Sequence, residues 1–291
     1  MKTLLLMTLI AISTVACSRQ QASDVLPVHG KNAAIIGGEA VSSEGYARKA
    51  TVGIYYRGKV SCTGVLISKN LVVTAAHCVK WVNDVSVGFG EALLEEDKLK
   101  SVQHIIIHPD FKIVQVPIPW NPSEMHPTSQ KDIALLKLSE DAPEEFTPVG
   151  IYQDTDKIPL DSKLLLAGFG VTDDSEHTAA KSLNEVTVSL FALADDYLVI
   201  DQRDKKGACF GDSGGPAYIS EAGTWYVAGI THGTRPGYTN CIQEADYTSL
   251  SKHTEFIVKT AEMLQAEAPI FAFPVPEVIP TPEPQIPLAA Q

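Results

Sequence analysis

SCTGVLISKNLVVTAAHC (residues 61–78) contains two apolar runs, Ser61–Ile67 and Leu71–Ala75, interrupted at Asn70 and followed at once by His77 and Cys78. Each run is too short for an ordinary helix and is rich in Val, Leu and Ile, so each reads as a strand. The pattern continues outward in both directions. Ala50–Tyr56, Val85–Phe89, Val102–Ile107, Ile133–Leu138, Lys163–Phe169, Leu183–Leu190 and Trp225–Thr231 are further short apolar runs, with Gly, Pro, Asn and Asp between them. No sustained 3.6-residue period joins them, which favours an all-β barrel or sandwich.

The chain has 291 residues, enough for about two domains or one large β architecture. Apolar residues make up 45% and charged residues 20%, which excludes wholesale disorder. With 35 acidic and 23 basic side chains the formal charge is −12, so no long basic stripe is available for nucleic acid. Five cysteines leave one over from any set of internal bridges.

The ends have their own character. Residues 1–17 (MKTLLLMTLIAISTVAC) carry a basic start and an apolar stretch too short to span a bilayer, as a secretory signal does. Thr14-Val15-Ala16-Cys17 resembles a bacterial lipobox, which would make Cys17 a lipidation site; the plainer alternative is an ordinary secretory signal with Cys17 incidental. Residues 18–34 read as a polar tether or propeptide. Ser251 to about Ala266 shows a helical pattern, with Phe256, Ile257, Ala261 and Leu264 on one stripe and Ser251 as a cap. The proline-rich tail, 268–291, cannot pair as a central strand.

Three islands carry chemistry. They are Thr74–Cys78 with His77, Asp132–Leu138 with Asp132, and Gly211–Pro216 (GDSGGP) with Ser213. A serine hydroxyl is a poor nucleophile until a base takes its proton as it attacks. An imidazole, with a reference pKa of about 6.5, can do so near neutrality, and a carboxylate can orient it. Glycines around Ser213 suit a tight loop that aims backbone N–H groups at one point. Separately each island has a plain structural reading: a packed histidine, a turn aspartate, a surface turn. Together they supply base, orienter and nucleophile in one chain.

With these residues the sequence resembles the trypsin/chymotrypsin family of serine endopeptidases. The resemblance runs from about Ile35 to Ile257 through IIGG (35–38), CTGVLIS (62–68), TAAHC (74–78), DIALLKL (132–138), CFGDSGGP (209–216) and YTSL (247–250). It implies two six-stranded antiparallel β-barrels, here within 35–150 and 151–250, followed by a C-terminal helix at 251–267. It assigns His77 as general base, Asp132 as its orienter and Ser213 as nucleophile, with the N–H groups of Gly211 and Ser213 as oxyanion hole. It pairs Cys62 with Cys78 and Cys209 with Cys241. The lack of other bridges common in vertebrate members fits a bacterial origin.

The resemblance also implies activation by cleavage before Ile35, freeing an α-amino group to pair with Asp212. One cut between Ala34 and Ile35 would then both activate the enzyme and release it from Cys17. Gly207, Ala208, Thr231, His232, Gly233 and Ala245 are the implied substrate pocket. Gly207 stands where trypsin-like members carry an aspartate, so the pocket reads as neutral and suited to apolar side chains. Two alternatives stay open: a one-residue shift that brings Glu244 or Asp246 inward and restores basic specificity, or recognition of an acidic side chain by His232. The insert Lys112–Lys131 is expected to reshape neighbouring subsites. A non-catalytic binding module on the same fold is the competing class of function.

No cofactor is called for. His104 and His108 are four apart on a β-type run, so they do not share a helical face for metal binding. Glu91, Glu95, Glu96 and Asp97 lie where some members bind Ca²⁺, but solvated charge is the simpler reading. The expected partners are protein or peptide substrates. The expected state is a monomer, exported and either secreted or held at the cell envelope through Cys17 before activation.

Overall fold

In Val65-Leu66-Ile67 successive side chains point to opposite faces of a strand, yet all three are fully buried. Val65 and Ile67 pack with Val73, Leu135, Tyr218 and Ile230. Leu66 packs with Val52, Val72, Leu136 and Phe89. A strand with no solvent face has to separate two apolar cores, which is why these segments read as unbroken apolar runs instead of alternating ones. The structure is a computed structural model that describes residues 35–42, 45–91, 99–171 and 182–272. The signal segment with Cys17, the tether with Ala34, Glu95, Glu96, Asp97 and the tail beyond residue 272 lie outside the described residues.

In chain order, β1 (Glu39–Ala40) and the single-turn α1 (Ala47–Ala50) precede β2 (Thr51–Tyr56), β3 (Lys59–Ser68) and β4 (Leu71–Thr74). The short α2 (Ala76–Val79), β5 (Val85–Gly88) and β6 (Leu99–Ile107) follow. A hairpin of β7 (Lys112–Ile118) and β8 (Asn121–Gln130) leads to β9 (Ala134–Leu138). Strands β2-β3-β4-β9-β6-β5 close into a barrel, while among the described residues β7 and β8 pair only with each other. The insert expected at 112–131 is therefore a separate hairpin, standing immediately before Asp132.

The second half contains β10 (Gly150–Ile151), β11 (Lys163–Gly168), β12 (Asn184–Ala194), β13 (Tyr197–Asp201), β14 (Pro216–Glu221), β15 (Thr224–Thr234) and β16 (Glu244–Ser249). Its sheet runs β12-β11-β14-β15-β16-β13, and β13 pairs back onto β12 to close a ring of six. β1 adds to β12 and β10 lies parallel to β15. Two six-stranded antiparallel barrels and a C-terminal helix are thus the architecture, as the sequence led us to expect. Leu164, Leu166, Val188, Leu198 and Tyr247 fill the second barrel.

The helix itself, α3 (Thr254–Met263), starts later than its sequence pattern suggests. Leu250–His253 is a 3₁₀ turn, and Ser251 does not cap the helix. Its hydroxyl hydrogen-bonds instead with those of Thr155 and Ser249, and no side-chain bond caps the helix. Ile257 and Ala261 are buried on the predicted stripe, between the barrels. Among the described residues no helix is long and apolar enough to cross a membrane.

Candidate active site

The base follows the C-terminal end of β4 and the acid precedes the N-terminal end of β9, neighbouring strands of the first barrel. His77 lies on α2, one turn beyond β4, where the Cys62–Cys78 disulfide ties that turn to β3. Asp132 sits between the β7–β8 hairpin and β9, behind Lys131 at a φ of 52°. The two meet closely: His77 Nδ1 is 2.7 Å from Asp132 Oδ2, and the His77 backbone N–H donates to Oδ1 at 2.9 Å. Asp132 is buried, whereas the His77 side chain is 37% exposed; one imidazole edge is held by Asp132, and Nε2 on the other lies 3.8 Å from Cys78 Sγ. Burial pushes the Asp132 carboxyl up, but hydrogen bonds from His77 and the charge of His77 outweigh it and bring it to about 2.

Ser213 comes from the second barrel, in the loop between β13 and β14. Gly214 has a φ of 78°, and a Cβ there would fall 2.1 Å from Thr74 Oγ1, so only glycine lets this loop press against the histidine strand. The loop's backbone is revealing. The N–H groups of Cys209, Asp212, Gly214 and Gly215 donate to Asp212 Oδ2, Cys209 O, Thr231 O and Asp212 O. Among the described residues those of Gly211 and Ser213 donate to no protein acceptor. A cleft of about 280 Å³ has both His77 and Ser213 in its wall.

Ala208, Thr231, Gly233 and Ala245 also line that cleft, together with the Cys209–Cys241 bridge and Phe210. Two residues expected in its wall are placed elsewhere. Gly207 is buried behind it, exchanging backbone hydrogen bonds with Ile36 at 2.9 and 3.0 Å. His232 is turned toward Asp132, because the β15–β16 register shifts between Thr231 and Gly233 and re-aims the side chain between them. Its Nε2 lies 2.9 Å from Ser129 Oγ and 3.6 Å from Asp132 Oδ2.

Glu244 and Asp246 flank Ala245 on β16 and therefore face the opposite way, where both pair with Arg235 at 3.4 Å. Burial raises the Asp246 carboxyl to about 7, with Arg235 opposing the rise. The one-residue shift that would have put a carboxylate in the cleft does not occur.

Two residues around this site are not singled out by the sequence, Ser129 beside Asp132 and Gln202 behind the cleft. Gln202 is 1% exposed and all of its amide is engaged: Nε2 donates to Ala208 O and Cys241 O, and Oε1 accepts from Ala208 N–H. Its carboxamide fills the volume a side chain at Gly207 would need. In sequence it stands in the polar stretch IDQRDKK, where nothing distinguishes it from a solvated turn residue.

Asp212 is fully buried. Its carboxylate accepts hydrogen bonds at 2.8 Å from the N–H groups of Gly170 and Cys209, and burial holds its carboxyl at about 7. Ile35 is 1% exposed and packs in the second-barrel core.

The ligand atoms of Cys62, His77 and Cys78 lie within 4.8 Å of one another, but the two sulfurs are bonded to each other and offer no thiolate. His104 is exposed on β6, while the His108 ring packs on His253 and Phe256, so these two do not converge. Glu91 pairs with Arg48.

A histidine–aspartate pair and a serine on one cleft, carried by two closed antiparallel barrels, define the double-barrel serine-protease class. The sequence matches the family Trypsin over residues 35–257, and the chain belongs to that family. It is 30% identical over 232 residues to kallikrein 1-related peptidase b11 of Mus musculus, covering 72% of this chain and 83% of the relative. Chymotrypsin-like elastase family member 1 of Canis lupus familiaris is 26% identical over 225 residues, 69% of this chain and 81% of the relative. Vitamin K-dependent protein C of Oryctolagus cuniculus is 26% identical over 235 residues, 72% of this chain, and the match spans about half of that relative's length (48%). The fold is shared with mouse neuropsin, a serine protease expressed in the limbic system, at a TM-score of 0.62 and 21% identity, covering 78% of this chain and 99% of that one.

Proposed function

We propose that the chain is a serine endopeptidase acting through an acyl-enzyme. The observation that carries this reading is the 2.7 Å contact between His77 Nδ1 and Asp132, on a cleft whose wall also holds Ser213. His77 Nε2 takes the Ser213 proton as Oγ attacks the scissile carbonyl. The oxyanion is received by the N–H groups of Gly211 and Ser213, which donate to no protein acceptor among the described residues. His77 then gives its proton to the leaving amine, and an ester remains on Ser213. Water, deprotonated by the same imidazole, adds to the ester; collapse frees the carboxylic acid and returns the proton to Ser213. Asp132 holds the imidazole in the tautomer that keeps Nε2 free, and balances its charge when protonated.

The residue before the cut is apolar or small in this reading, because Ala208, Ala245, Thr231 and Gly233 line the cleft and the neighbouring carboxylates face Arg235. Activation is by a cut before Ile35, whose new ammonium pairs with the buried Asp212. A carboxylate held only by neutral N–H donors is one that a cation would stabilise strongly. Cys17 lipidation, export to the envelope, release on activation, a monomeric state and a bacterial source complete the reading. They rest on the TVAC sequence, the absence of a sixth cysteine to pair with Cys17 and the limited set of bridges; the relatives named above are animal proteins.

Labelling of processed protein by a fluorophosphonate probe, compared with Ser213→Ala, tests the activity. Label on the wild type alone is the expected result, and an unlabelled wild type overturns it. A peptide-library profile tests the apolar preference, which dominant cleavage after Arg or Lys would overturn.

A further inference from the structure

We propose that Ser129 and His232 are positioning residues for Asp132, forming a relay of hydrogen-bond donors that fixes the carboxylate from the side opposite His77. The inference rests on the endopeptidase reading above. Ser129 lies at the end of β8, so the hairpin inserted before Asp132 reaches back to the site.

The proton assignments follow from the acceptors present. Ser129 Oγ donates to Asp132 Oδ2 at 2.8 Å, which uses its only proton. His232 Nε2 lies 2.9 Å from Ser129 Oγ, 3.2 Å from Ser129 O and 3.6 Å from Asp132 Oδ2. With the hydroxyl proton committed, all three of those neighbours are acceptors, so Nε2 must carry the hydrogen. His232 Nδ1 is buried with no partner among the described residues, so a second proton there would be a buried N–H with no acceptor. Burial lowers the His232 pKa in the same sense. His232 is therefore a neutral donor, and donation runs from His232 to Ser129 to Asp132.

Other groups hold the relay in place. Tyr197 on β13 donates its hydroxyl to Ser129 O at 3.0 Å, and its ring lies 5.2 Å from that of His232. Thr231, the neighbour of His232, sends its hydroxyl to Gly215 O, so Ser129 supplies the hydroxyl at Asp132. The titratable groups facing the network are His77 from α2, Tyr197 from β13, the Lys131–Asp196 ion pair at 2.6 Å, and Asp246 beyond Tyr197.

A donor on Asp132 draws charge from the carboxylate and weakens its pull on a protonated His77. Removing the donor should therefore move the acid limb of kcat/KM upward. The test uses processed full-length protein, a chromogenic peptide, and the NMR titration of the His77 ring proton, which reads the same event without turnover. Ser129→Ala is expected to raise the midpoint of the acid limb by about 0.5–1 pH unit, the size of one lost charge-assisted bond shared between two protonation states. Ser129→Thr keeps a hydroxyl and returns the limb toward wild type. His232→Phe moves it in the same direction by less, and His232→Gln, which retains an N–H, restores it.

Because His232 acts through Ser129, the double variant S129A/H232F should show the S129A shift and no more. An unmoved limb in a folded S129A protein, or additive shifts in the double variant, overturns the proposal. If wild-type protein takes no fluorophosphonate label, the endopeptidase reading itself fails and takes this one with it. If it labels normally while the limb and the ring-proton titration stay fixed, only the relay fails.

Discussion

Gln202 occupies the space in which Gly207 would need a side chain: a Cβ built on Gly207 falls 2.1 Å from Gln202 Oε1 and 2.2 Å from its Cδ. The missing carboxylate at this position is thus matched by a neutral amide that knits Ala208 to Cys241 behind the cleft. In the apolar-pocket reading proposed above, neutrality behind the cleft rests on two residues, of which only Gly207 is visible in a comparison of motifs.

Gly207→Asp alone should therefore fail to create Arg or Lys specificity. The new side chain overlaps the amide, and overpacking costs on the order of 1–3 kcal/mol before the charge is considered. Thermal denaturation should show the loss, and a peptide-library profile should show no basic preference. Gly207→Asp combined with Gln202→Ala removes the overlap, leaves only the backbone strain of a side chain at a φ of 152°, and is expected to introduce some cleavage after Arg. A stable single variant that cuts after Arg would refute the coupling.

Asp212 gives the uncleaved chain a distinctive pH dependence. Its carboxyl is raised by burial to about 7, against an ordinary value of 3.8. Between those values the folded protein keeps a proton that the unfolded chain has released, so stability falls as pH rises from about 4 to 7 and is level above. Asp212→Asn should remove its own share of that decline, a few kcal/mol in order of magnitude at pH 8, while Asp246, also raised by burial to about 7, keeps its share. If activation follows the proposal above, the ammonium freed by a cut before Ile35 compensates the charge, and Asp212→Asn should instead destabilise the processed protein. Urea midpoints of both forms at pH 4, 6 and 8 check the reversal of sign.

The barrels were legible in the sequence because strands such as Val65–Ile67 and Leu71–Val73 are buried on both faces and read as continuous apolar runs. His77, Asp132 and Ser213 were legible because their neighbours are unusual in composition. Gln202 and Ser129 were not. Each is an ordinary polar residue in a polar segment, and its role exists only once β13, β15 and the hairpin close around it. The direction of His232 was hidden for a different reason: a one-residue register shift after Thr231 reverses the face that simple alternation would assign.

The Cys209–Cys241 bridge joins two walls of the cleft across 32 residues. Cys241→Ser should destabilise by about 3–4 kcal/mol, as expected for a closed loop of that size. Because the loop it restrains carries Gly211 and Ser213, kcat should fall more than KM rises. Chemical denaturation and steady-state kinetics separate the two effects, and unchanged kcat in folded protein would show the loop to be held by Gln202 instead.

Asp132→Asn tests the site from its buried end. The carboxylate accepts from His77 Nδ1 and from the His77 backbone, and an amide can satisfy both only by placing its own donor against one of them. The imidazole is then driven to the tautomer with its proton on Nε2, the atom that must receive the Ser213 proton, and kcat should drop on the order of 10⁴-fold at pH 7. Stability has the opposite pH sense to Asp212. The Asp132 carboxyl is lowered from 3.8 to about 2, because the bonds and charge of His77 outweigh burial, so its contribution is complete above about pH 4 and is lost as pH falls toward 2. The wild type should therefore lose roughly 2 kcal/mol in that window that Asp132→Asn does not lose. Urea midpoints at pH 5 and 2, read beside the rate at pH 7, check both halves. A variant that kept its acid-dependent loss, or its rate, would place the anchoring charge of His77 on some other group.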